Sequence, residues 1–121
     1  MDYTAAELDD IDRTEEVGIE TALPGGSVHR TVIWAVVDGD AVFVRSYVGP
    51  DARWYREALA NPEVVLHVGE RAVPARAVPV DDPSAIGRTS AALERKYRGD
   101  PATPSMVRAE VLPLTLRLDR R

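Results

Sequence analysis

Apolar positions recur along the chain with two periods, and these divide it into elements. Thr4-Ala-Ala-Glu7 has the composition of a capping box, with Thr4 as N-cap and Glu7 at the third helical position. It predicts a short acidic helix over residues 5–12, with Leu8 and Ile11 on one side. From Glu16 to Leu23 the pattern changes to alternation, with Val17, Ile19, Thr21 and Leu23 on one face of a strand. Pro24-Gly25-Gly26-Ser27 is a loop or hairpin turn. The run VHRTVIWAVV, residues 28–37, is β-branched and too apolar for a strand with one wholly wet face. It reads as a central strand, covered on both faces for much of its length. Asp38-Gly39-Asp40 supplies a tight turn, and AVFVRSYV, residues 41–48, returns antiparallel. Val42, Val44 and Ser46 then face one way, and Phe43, Arg45 and Tyr47 the other.

A helical period follows in GPDARWYREALANPEV, residues 49–64. Asp51 reads as the N-cap, Tyr55, Ala58 and Leu59 as the buried stripe, and Pro62 as the stop. VVLHVG (64–69) and AVPARAVPV (72–80) form a second hairpin across a Gly-Glu-Arg turn, and Pro74 and Pro79 place the latter strand at an edge or a bulge. Asp82-Pro83 opens a longer helix with Ile86, Ser90, Leu93 and Tyr97 on one face, ending at Gly99. After a proline-rich loop, AEVLPLTLRL puts Leu112, Leu114, Leu116 and Leu118 on one face of a half-buried strand. Hairpin-joined strands interrupted by helices predict a mainly β (α+β) fold: a six-stranded antiparallel barrel with two to three packed helices. Residues 1–121 form one such domain, of which 1–15 is an acidic N-terminal helix or flexible segment.

Composition narrows the chemistry. With 121 residues, 45% of them hydrophobic, the chain buries a core without staples, and it has no cysteine. Disulfides, thiolate metal sites and cysteine nucleophiles are excluded. His29 and His67 are the two histidines, too few for a histidine-rich metal site. No apolar run is long enough to span a bilayer, and MDYTAAELDDIDRTEE has neither the basic nor the apolar region of a signal peptide. A cytoplasmic protein with no membrane partner is expected. Residues 2–20 hold eight of the 20 acids and only Arg13 of the 15 bases, so the net charge of −5 arises at the N-terminal end. No basic footprint for nucleic acid is present. Fourteen of the bases are arginine and one is Lys96, so any anion site would be built from guanidinium groups.

Four places carry candidate chemistry. His29 and Arg30 open a strand after the glycine loop, where a guanidinium beside loop amides suits phosphate and an ordinary exposed arginine is the simpler alternative. Arg45-Ser46 closes the partner strand beside Arg30, as a phosphate ligand pair or as a solvated strand end. Arg53-Trp54-Tyr55-Arg56 lies in a first helical turn, which attracts anions unless Asp51 already holds the amides. Trp54 suits stacking on a flat ring, or core or dimer packing. His67, alone in an apolar strand, reads as a structural residue. No Ser-His-Asp spacing, paired-carboxylate pattern or Gly-rich nucleotide fingerprint occurs.

HRTVIWAVVDGDAVFVRS, then GPDARWYREALANPEV, then GERAVPARAV resemble, in order and spacing, the split β-barrel flavin-binding superfamily. That superfamily includes pyridoxamine phosphate oxidases and deazaflavin-dependent nitroreductases, and the W-Y before L-A-N-P and the V-P-A-R-A are most similar to the nitroreductase branch. The resemblance implies a split-barrel homodimer with FMN or a deazaflavin coenzyme at the subunit interface, acting as an oxidoreductase on a small organic molecule. It places Arg30 and Thr31 at the cofactor phosphate or ring edge, Ser46 and Arg53 near the phosphate, and Trp54 and Tyr55 at the border of the site. No protein acid or base is required, so no catalytic residue is assigned and no metal. Two alternatives accompany it: a non-catalytic split-barrel binding or interaction protein that has lost its cofactor, and a haem-binding relative with His29 or His67 as axial ligand.

Overall fold

The computed structural model describes residues 1–121. Helix α1 (Ala5–Arg13) starts with the expected capping box: Thr4 accepts from the Glu7 N–H and the Glu7 carboxylate accepts from the Thr4 N–H. Seven strands follow, β1 (Val17–Ala22), β2 (Val28–Ile33), β3 (Ala35–Asp38), β4 (Ala41–Arg45), β5 (Glu63–Val68), β6 (Arg71–Pro79) and β7 (Thr115–Arg120). Helix α2 (Arg53–Ala60) lies between β4 and β5, and α3 (Pro83–Lys96) and the short α4 (Thr103–Val107) lie between β6 and β7. All neighbouring strands are antiparallel, in the order β2-β1-β5-β6-β7-β4-β3.

That order bends the sheet. β2 and β3 are its two opposite ends, yet only Trp34 separates them in sequence. Two peptide steps reach no more than roughly 7 Å, so the sheet must curl until its ends meet. The result is a split β-barrel. The single central strand expected over residues 28–37 is therefore two end strands, which raises the count from six to seven. A β-branched run signals extended backbone but not position in a sheet. β2 has the wet face that its apolarity argued against, with Val28 57% and Val32 66% exposed.

The two faces of the sheet build two cores. Inside the curl, twenty buried residues pack together, among them Ile11, Ile19, Val44, Leu66, Leu116 and Leu118. Each fully buried aliphatic side chain stabilises the fold by roughly 1.5–3 kcal/mol. Outside it, Val36, Phe43, Leu93, Tyr97 and Met106 pack in a smaller cluster beneath α3. The alternation expected in β4 is what feeds both, sending Val42 and Val44 to the first and Phe43 to the second. Asp38 pairs with Ala41 across Gly39-Asp40, and Gly39 takes φ 63°, the positive value that a two-residue hairpin needs at its first position.

Several local expectations change. β6 is interior, between β5 and β7, despite its prolines. Ala77 donates to Pro62 on the β5 side and Val80 to Thr115 on the β7 side, so the edge of each proline follows from parity. The missing N–H of Pro79 falls beyond the start of β5, and that of Pro74 opposite Arg121, past the end of β7. Neither breaks a ladder bond. The proline-rich loop contains α4, and residues Ala109–Leu114 form a 3₁₀-helix instead of the first half of a strand. In α3, Asp82 caps as expected, but Ala85, Thr89, Ala92 and Leu93 form the buried stripe, with Ile86 and Ser90 only half-buried.

Candidate functional site

Where the curled ends of the sheet meet, an open cavity of about 630 Å³ lies between the β2–β3 junction, the start of α2 and the loop after α3. Its walls include Thr31, Val32, Ile33 and Trp34 from the junction, Ala52, Arg53 and Trp54 from α2, and Asp100, Ala102 and Met106 from the helical layer. Of the six residues marked by sequence, Thr31, Arg53 and Trp54 come together in this wall, and Arg30, Ser46 and Tyr55 are outside it.

Local backbone explains each placement. α2 begins without a side-chain cap: Ala52, not Asp51, is the N-cap residue, and no side chain accepts from the first turn. The N–H groups of that turn have no intrahelical partner, and Arg53 and Trp54 stand beside them at the cavity. The period of α2 buries Trp54, Tyr55, Glu57 and Ala58, while Leu59 points to solvent at 47% exposure. Trp54 and Tyr55 meet edge to face, their ring centroids 6.0 Å apart. Tyr55 packs in the inner core, and burial raises its pKa.

Arg30 is on the other side of β2 from Thr31. Its stem lies over Gly18, where an added Cβ would sit 3.1 Å from its Cγ and Cδ, so the missing side chain makes room for it. Ser46 is buried and its hydroxyl donates to the Gly49 carbonyl at 2.7 Å, closing the loop before α2. Arg45 is not beside Arg30. Its side chain, 2% exposed, runs under α3 and α4, where Nε donates to Thr115 Oγ1 (2.8 Å) and Nη1 to Ser90 Oγ (2.9 Å) and the Met106 carbonyl (3.0 Å). Nη2 donates to the Ile86 carbonyl at 3.1 Å. Burial lowers its pKa to about 10. Arg45 thus staples the two helices to β4 and β7, with its charge bordering the cavity floor.

Sequence reasoning missed a buried polar cluster behind α2. Glu57 accepts from Thr21 Oγ1 at 2.7 Å, and His29 Nδ1 lies 3.0 Å from Glu57 Oε2. The Thr21 hydrogen bond, with help from His29, holds the Glu57 carboxyl below the usual carboxylate range. An ionised carboxylate only accepts, so the Nδ1 proton of His29 points at it. The signal was present: Glu57 falls three residues after Trp54 on the same helical face. His67 pairs its Nε2 with Glu20 Oε1 at 2.8 Å, a bonded structural role. Trp34 was also overlooked; its ring lies flat on Tyr97, with centroids 3.8 Å apart and planes 5° apart.

Comparison with known proteins sets this geometry in a family. A family profile described as "Uncharacterized protein conserved in bacteria (DUF2255)" matches residues 7–118, nearly the whole chain. The chain belongs to the DUF2255 family. No curated protein sequence matches it. Among solved structures, this DUF2255 chain is similar to a conserved hypothetical protein from Mycobacterium tuberculosis, with TM-score 0.75, 18% identity, and coverage of 98% of this chain and 81% of that one. It is similar to HutZ, the heme storage protein from Vibrio cholerae, with TM-score 0.71, 16% identity, and coverage of 100% and 92%. An F420-H2 dependent reductase aligns with TM-score 0.66, 15% identity, and coverage of 87% and 94%. At these identities the likeness establishes the fold, that of the pyridoxamine phosphate oxidase-like split barrels. No helix of this DUF2255 chain is long and apolar enough to cross a membrane.

Proposed function

We propose that the cavity binds a flavin-type cofactor, a deazaflavin coenzyme or FMN, and that the protein is an oxidoreductase acting on a small organic molecule. The observation that carries this reading is the meeting of an uncapped helix N-terminus, Arg53 and the Trp54 indole in one cavity wall. Free amides, helix dipole and guanidinium all favour an anionic group such as a phosphate at that end. Trp54, Ile33 and Thr31 supply a wall for a flat ring beside it. A volume of about 630 Å³ lies within the usual range for cofactor and small-molecule pockets. Such a cofactor supplies hydride transfer, while the residues of this chain bind and orient it and exclude water.

Within this reading the six residues divide by role. Thr31, Arg53 and Trp54 touch the cofactor; Tyr55 and Ser46 hold the wall from behind, through core packing and through the Gly49 loop bond. Arg30, on the outward face of β2, takes part only across a subunit boundary. Exposed Val32, Tyr47 and Val48 rim the same cavity, and their apolar surface supports a homodimer that covers it. A non-catalytic binding role is favoured by one observation: Arg45 and Ser46 direct their donors inward, which leaves Arg53 as the exposed cation of the cavity. Fluorescence titration with FMN, FAD and the deazaflavin coenzyme separates the two. Saturable micromolar binding of one of them supports the oxidoreductase; no binding of any by the folded protein leaves the binding module.

A further inference from the structure

Lys96 is the one lysine of the chain, beside fourteen arginines. It stands half-buried at the end of α3. Its amine donates to the Ile11 carbonyl in the last turn of α1 at 2.8 Å and to the Ala35 carbonyl of β3 at 2.7 Å. Both acceptors are neutral, and no carboxylate bonds to the amine. The Tyr97 ring centroid lies 5.2 Å from Nζ. Lys96 and Tyr97 both line an open pocket of about 560 Å³, which shares only Glu15 and Asp100 with the cavity beside α2. Its three cations, Arg13, Lys96 and Arg98, are matched by three carboxylates, Asp12, Glu15 and Asp100, so its wall favours neither sign of charge.

A guanidinium would bond two carbonyls equally well but never gives up its proton, whereas a lysine amine does. An ammonium carries three N–H groups and a neutral amine two. The deprotonated amine therefore keeps both carbonyl bonds and gains a lone pair where the third proton was. Burial lowers its pKa to about 8, against the opposing pull of Asp12, so the neutral form is well populated near neutral pH. We propose that Lys96 is a covalent capture site, its amine condensing with a small neutral aldehyde or ketone in this pocket to form an imine. The lone pair adds to the carbonyl carbon, the carbonyl oxygen leaves as water with the two amine protons, and neither partner is oxidised or reduced. Once protonated, the imine has one N–H left to donate to either the Ile11 or the Ala35 carbonyl.

Propanal with cyanoborohydride, which reduces the imine to a stable propylamine, tests the site in the native protein at pH about 7.5. Peptide mass mapping follows Lys96 and the exposed Met1 amino group separately, since these are the two amines of the chain. The same reaction in guanidinium chloride supplies the unfolded reference. Lys96 is expected to be labelled about ten-fold faster in the native protein than in the unfolded one, because its lowered pKa frees the lone pair and its lower basicity takes back only part of that gain. The Met1 amine is expected to change by less than about two-fold, since its pKa is that of a free α-amino group in both states. The native Lys96 rate should also level off above pH about 8, whereas the unfolded rate goes on rising. A lysine that only braces the two carbonyls is shielded by the fold and reacts more slowly in the native state. Labelling of Lys96 that is equal or slower in the native protein, or a native rate that rises without levelling, overturns the capture site.

Discussion

Two arginines face the same cavity from opposite sides, and almost everything else about them differs. Arg45 sits on a strand under two helices, with bonds to two hydroxyls and two carbonyls. Arg53 opens a helix that no side chain caps and stands in solvent. The helical layer above β4 and β7 makes the first a part of the fold, and the lack of any cover above α2 leaves the second for a ligand. A guanidinium therefore owes its role to what lies over it more than to the strand or helix that carries it.

Substitutions break this comparison most strongly on the covered side. Arg45→Met should destabilise the protein by about 3 kcal/mol, since Ser90, Thr115 and two buried carbonyls lose their donor together. Urea denaturation monitored by circular dichroism measures it, and a loss below about 1 kcal/mol would show that the staple is dispensable. Glu57→Ala should cost about 2 kcal/mol at neutral pH by stranding Thr21 and His29.

The same buried groups set the pH dependence. Glu57 and Glu7 both have carboxyl pKa values lowered in the fold, by Thr21 and by Arg120 respectively as the leading partners. Their contribution is complete above the unfolded carboxylate range, near pH 4.5, and is lost as pH falls through the lower folded values. Melting temperature should therefore drop steeply below about pH 4.5, less so in Glu57→Gln. At the alkaline end the slope has the same sign from a different cause. Burial lowers Lys96 from 10.5 to about 8 while its amine donates to the Ile11 and Ala35 carbonyls. Between these values the unfolded chain binds the extra proton, so stability should rise with pH. Water still reaches the amine, so the rise is on the order of 1 kcal/mol. A flat profile over that window in the native protein, or the same rise in Lys96→Met, would contradict this.

Much of the fold was legible because period and punctuation agree. The Thr4 capping box, the Asp38-Gly39 hairpin and the Asp82-Pro83 helix start are local devices, and each appears where its residues predict it. What failed was non-local. Nothing in VHRTVIWAVV records that Trp34 is the corner between two ends of one sheet, and this single break adds the seventh strand. Of the residues that motif order marked, Arg53, Trp54 and Thr31 line the cavity. Ser46 and Arg45 were plausible for the same cleft by residue type, yet the Gly49 carbonyl and the helical layer hold them. Asp100 lies far from Glu15 and Glu16 in sequence, and the two segments share the cavity wall because Tyr97 bonds to both.

The smallest expected effect on stability is also the most informative about function. Arg53→Ala removes an exposed side chain and should leave the unfolding free energy from urea denaturation within about 0.5 kcal/mol of wild type. Titration of this variant and wild type with the tightest of FMN, FAD and the deazaflavin coenzyme, in one buffer, tests the central claim directly. About a ten-fold loss of affinity, with folding unchanged, is the predicted result. Equal affinity in the two proteins would contradict the placement of the anionic cofactor end at α2.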